Sequence, residues 1–188
     1  MPHINLKQGL PGIRGPMVFS PETTKPLCDL AEVLLTGPHT LTTAEREMIA
    51  TYVSSQNDCY FCQYAHGSIV AQHLGGTPAQ YEFVDAMKRD FESTTLSDKM
   101  KALLNIAGKV QQDGKQVTTA DVDRARSAGA TDKEIHDTVL IAAVFCLCNR
   151  YVDGLATWAP DDPAFYRQRA ALVAENGYAA STLTGPTK

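Results

Sequence analysis

The chain has little that would take it to a membrane, a nucleic acid or an extracellular scaffold. It carries 17 Lys and Arg against 21 Asp and Glu, for a net charge of −4. Without a basic run, nucleic acid and anionic lipid are poor candidates for its main partner. The longest nearly continuous apolar stretch, Val139 to Cys148, is ten residues, about half of what a bilayer span requires. Met1-Pro2-His3-Ile4-Asn5-Leu6-Lys7 lacks the basic start and apolar run of an export signal, so a soluble, cytoplasmic protein is expected. Five cysteines do not make an even-numbered disulfide framework, and 188 residues can fold without one. Strand signals are also scarce.

What is present is a hydrophobic content of 44%, enough for one core, and a recurring series of helix starts. After an irregular Gly/Pro-punctuated leader, Ser20-Pro21 opens a helix that Gly37-Pro38 ends. Thr42 with Glu45, and Thr131 with Glu134, are capping boxes leading into apolar stripes. Thr77-Pro78, Ser97, Thr119 and Asp162-Pro163 mark further starts, and Asp58 is placed as the cap of a helix beginning at Cys59. The expectation is an all-α fold of about eight helices in a single domain over residues 1–188, with a frayed tail from Ser181. A weak echo between the Thr42 and Thr131 segments suggests two related helical halves, about 20–90 and 96–178.

The chemistry is concentrated in Cys59-Tyr60-Phe61-Cys62, with His66 four residues beyond. On a helix these three share a face, where two thiols can form a disulfide and an imidazole can relay a thiol proton. A helix N-terminus also favours thiolate over thiol. Peroxide reduction needs such parts: a thiolate to attack the O–O bond, an acid for the departing oxygen and a second thiol to resolve the sulfenic acid. Zinc would take Cys59, Cys62 and His66 as three ligands, but a structural site usually requires a fourth. Cys28, Cys146 and Cys148 are placed in the core, and His73 near a helix end is read as structural. Glu47, taken alone, reads as a solvated carboxylate in the first turn of its helix.

Glu47, Cys59-x-x-Cys62-x-x-x-His66-Gly67 and Gly75-Gly76-Thr77-Pro78 together resemble the alkylhydroperoxidase D family of the carboxymuconolactone decarboxylase superfamily. The likeness is strongest over residues 41–83, and Asn149-Arg150-Tyr151-Val152-Asp153-Gly154-Leu155 is similar to its peroxidase-related branch. The resemblance implies an all-helical fold forming homo-oligomers, commonly dimers, trimers or hexamers. It implies Cys62 as peroxidatic thiol, Cys59 as resolving thiol, and Glu47 with His66 as proton relay. Electrons would come from a dithiol reductant, such as a lipoylated or thioredoxin-like protein, with no bound cofactor or metal. Phe61 departs from the pattern, standing where well-understood members have a second histidine. The expected function is a thiol-dependent peroxidase for hydrogen peroxide or alkyl hydroperoxides. The alternatives are a carboxymuconolactone decarboxylase-like enzyme and a redox-sensing dithiol protein without turnover.

Overall fold

The computed structural model describes residues 1–181, and the expected frayed tail beyond Ser181 lies outside them. Among the described residues there are nine α-helices and no strand: α1 Arg14–Phe19, α2 Pro21–Leu35, α3 Thr43–Gln56, α4 Tyr60–His73, α5 Pro78–Asp90, α6 Asp98–Gln112, α7 Thr119–Ser127, α8 Asp132–Gly154 and α9 Pro163–Ser181. Seven of the nine start where the sequence places them, and α4 starts one residue later than expected. The additional one, α1, lies in the leader, where Gly15 and Pro16 mask a short helical turn.

Local chemistry explains the starts. Thr42 Oγ1 accepts the Glu45 N–H while Glu45 Oε2 accepts the Thr42 N–H, and the pair Thr131 and Glu134 repeats the arrangement at α8. Ser97 Oγ accepts the Met100 N–H at 3.3 Å to open α6. Buried Arg46 then fixes α3 to the end of α2, its Nη1 donating to the carbonyls of Leu34 (3.1 Å) and Gly37 (2.9 Å). Leu34 lies in the last turn of α2, where the carbonyls lack intrahelical partners, and Gly37 lies just beyond it, so the guanidinium does the work of a C-cap.

The main core joins α2, α3, α6 and α8 through residues such as Leu35, Ile49, Val53, Leu103, Ile106 and Ile141, all fully buried. α4 packs along α3 and is covered on its far side by α9. α8 is long and apolar enough to cross a membrane by length and composition, yet Ile141, Ala142, Val144, Phe145 and Val152 bury it in the bundle. Its apolar character is that of a core helix.

Candidate active site

The dithiol sits where α3 ends and α4 begins. Asp58 takes a left-handed conformation (φ 55), the Asp58 N–H donates to Ser55 O and the Cys59 N–H to Ser54 O, each at 3.0 Å. This is a Schellman closure of α3. It corrects the expectation that Asp58 caps α4: Cys59 itself occupies the N-cap position, α4 starts at Tyr60, and Cys62 lies in the first turn. Aspartate is among the few side chains that accept such a backbone without glycine.

Both sulfurs are buried, Cys59 fully and Cys62 to within 3%. The two thiols interact with each other, and α8 places Asn149 by Cys62 and Asp153 by Cys59. Asn149 is itself held by Asn57, which donates to its Oδ1 at 2.8 Å, and by Ser54, whose Oγ accepts from its Nδ2 at 3.1 Å. The hydrogen bond with Cys59 and then burial push the Cys62 thiol well above its ordinary range, with Asn149 acting in the opposite direction. That direction is opposite to the expected thiolate preference, with the Cys59 thiol and then the loss of solvation both favouring the protonated form. Burial likewise raises the Asp153 carboxyl, against the lowering effect of the Cys59 hydrogen bond.

One turn along α4, His66 Nδ1 lies 2.8 Å from Glu47 Oε2. Glu47 is fully buried in the second turn of α3, so the reading of it as a solvated carboxylate is corrected. The sequence reasoning missed Tyr178, whose Oη donates to Glu47 Oε1 and lies 3.0 Å from His66 Nδ1. Its ring stacks on the imidazole at 5.9 Å, and Phe145 meets the same imidazole edge-on at 4.5 Å. Gly177 makes this placement possible: with φ 71 it breaks α9 and turns Tyr178 inward, where the Tyr178 N–H reaches Glu32 Oε2 at 3.2 Å. Burial first, and then Glu47, push the Tyr178 phenol well above its usual value, which keeps its proton on oxygen.

Cys62, His66, Phe145 and Tyr178 line one cavity of about 90 Å³, which Cys59 does not reach. Cys28 and Cys148 also lie on its wall, and burial raises both thiols, Cys148 to about 12. They remain protonated apolar lining. Phe61 wedges between leader and helix bundle: a β-carbon on Gly12 would come within 2.2 Å of its ring, and Tyr166 packs 6.0 Å from it. A packing contact thus occupies the position of the family's second histidine. His73 ends α4 in its last turn. Among the described residues, no group of three or more His, Cys, Asp or Glu side chains could hold a metal ion.

An all-helical bundle that buries a Cys-x-x-Cys pair at a helix start beside a Glu–His pair has the alkylhydroperoxidase D-like fold. The solved structures agree. An uncharacterized peroxidase-related protein from Silicibacter sp. is 28% identical, with 84% of this chain and 78% of that chain covered at a TM-score of 0.73. An uncharacterized peroxidase-related protein from Ralstonia eutropha, described as an alkylhydroperoxidase AhpD core, is 26% identical over 84% of this chain and 81% of its own, at 0.74. A protein of unknown function from Agrobacterium tumefaciens shares the fold at 20% identity, covering 86% of this chain and 100% of that one with a TM-score of 0.69. No family model and no curated protein matches the chain. The neighbours' names are those of the peroxidase-related, alkylhydroperoxidase D-like branch that the sequence resembles.

Proposed function

We propose that the protein is a thiol-dependent peroxidase in which Cys62 attacks the peroxide, Cys59 resolves the product, and Glu47 with His66 moves the proton. The observation that carries this reading is that Cys62 and His66 face one cavity while Cys59 stays behind it. An Nδ1–H donated to Glu47 leaves His66 Nε2 with a lone pair to take the thiol proton. The Cys62 sulfur then bonds to the terminal peroxide oxygen as the O–O bond breaks, giving a sulfenic acid and an alkoxide. His66 returns the proton to the alkoxide, and an alcohol leaves. The Cys59 thiol attacks the sulfenic sulfur, forming the disulfide and water. An external dithiol supplies two electrons and two protons to restore both thiols.

The test is stopped-flow thiol oxidation by hydrogen peroxide and an alkyl hydroperoxide, followed by turnover with a dithiol donor. Cys62→Ser should abolish peroxide consumption, and survival of turnover in that variant would overturn the assignment. A second reading, a redox-sensing dithiol protein without turnover, is favoured by the raised Cys62 thiol and by Phe61 in the relay position. It predicts oxidation at the rate of an ordinary free thiol.

A further inference from the structure

Among the described residues, the wall of the Cys62 cavity contains two cations and no carboxylate: Arg14, from the leader helix, and Arg169, from α9. The rest of the wall is almost wholly apolar, apart from His66, Tyr178 and the thiols. Arg14 is 8% exposed, its Nε is buried without a hydrogen-bond acceptor, and it has no ion-pair partner among the described residues. A buried guanidinium left in this state is destabilising unless an anion or ordered solvent meets it. The two arginines also feel each other's charge, which, after burial, helps lower Arg169 to about 10.

We infer that this cavity is a binding site for a small carboxylate-bearing alkyl molecule, its carboxylate held by Arg14 and its apolar end directed toward Cys62. The planar guanidinium suits a carboxylate through paired N–H donors. The cavity of about 90 Å³ sets the size. At roughly 10–15 Å³ for each water-sized position, it holds a chain of about six to nine heavy atoms. Joined to the peroxidase reading, on which this step rests, the substrate class becomes acidic alkyl hydroperoxides.

Hexanoate separates the two claims because it binds without any redox step. Calorimetric titration of the reduced protein should give an affinity for hexanoate at least tenfold above that for hexan-1-ol. Arg14→Met should remove that preference while leaving the melting temperature unchanged or higher, since the lost group has no partner. Should that variant fail to fold, the wild type still decides the matter: saturating hexanoate should slow iodoacetamide labelling of Cys62 several-fold, and hexan-1-ol at the same concentration should not. If hexanoate binds no more tightly than hexan-1-ol, the inference is overturned even if peroxide is consumed. If hexanoate binds as expected and Cys62 is inert to peroxide, the anion site stands and the peroxidase reading falls.

Discussion

His66 Nδ1 and Glu47 Oε2 lie 2.8 Å apart although 19 residues separate them in the chain, and Glu47 has no exposed surface. A carboxyl group so placed fixes the tautomer and the orientation of the imidazole facing the cavity. Glu47→Gln presents an amide of the same shape that can donate where the original group accepts. The oxidation rate of Cys62 in stopped flow should fall about 10- to 100-fold, with helix content unchanged. A rate equal to wild type would leave Glu47 a structural role alone.

The raised Cys62 thiol gives a second prediction, in the pH profile. If the proton taken from Cys62 is the one His66 returns to the alkoxide, no net proton exchanges with solvent, and the wild-type rate should be flat from about pH 7.5 to about pH 9. In His66→Ala the thiolate must form by loss of a proton to water. Because the thiol is pushed up, the rate should then climb by about tenfold per pH unit over the same window. Asn149→Ala should depress that line further, since Asn149 opposes the upward shift. A wild-type rate that climbs in parallel with the variant would exclude the relay.

Much of this was legible locally. Thr42, Ser97 and Thr131 announce their helices because a cap uses neighbouring atoms. The Cys59, Cys62 and His66 spacing fixes a shared face for the same reason. Asp58 misled because an N-cap favours aspartate while the left-handed position of a Schellman closure also tolerates it, and the choice depends on how α3 ends. Glu47 looks solvated until α4 and α9 cover it. Tyr178 reaches the site from 131 residues away behind a glycine kink, and Arg14 from a leader that reads as irregular. In the sequence, Gly177 immediately before a tyrosine is the one available sign of that turn.

Tyr178→Phe tests the contact that the sequence hid. Removing the hydroxyl leaves a buried carboxyl oxygen of Glu47 without its donor, which should cost about 1–3 kcal/mol in denaturant unfolding at neutral pH. The phenol's folded value lies above its unfolded one. Its stabilising contribution is therefore complete below about pH 10 and is lost as pH rises toward the folded value. Wild type should show a steeper alkaline loss of stability than the Phe variant. Parallel alkaline limbs would mean that the phenol is not held protonated by the fold.

The capping boxes of α3 and α8 differ in burial, and this separates their energies. Glu45 of α3 is partly exposed, whereas Glu134 of α8 is 1% exposed and ties three elements together. Its carboxyl accepts from the Thr131 N–H (2.7 Å), Thr40 Oγ1 (2.9 Å) and Lys99 Nζ (3.0 Å). Burial alone would raise this carboxyl, but those donors outweigh it and hold it at about 2. The resulting stability is present above the unfolded value of roughly 4.5 and disappears as pH falls toward about 2. Glu134→Ala should cost roughly 3 kcal/mol at pH 7, because it also strands Lys99 and Thr40. Glu45→Ala should cost roughly 1 kcal/mol or less. Urea unfolding at pH 7 and pH 3 would measure both, and the Glu134 penalty should shrink at the lower pH. A Glu134 penalty that does not change with pH would show that the carboxyl stabilises the fold through its shape and not its charge.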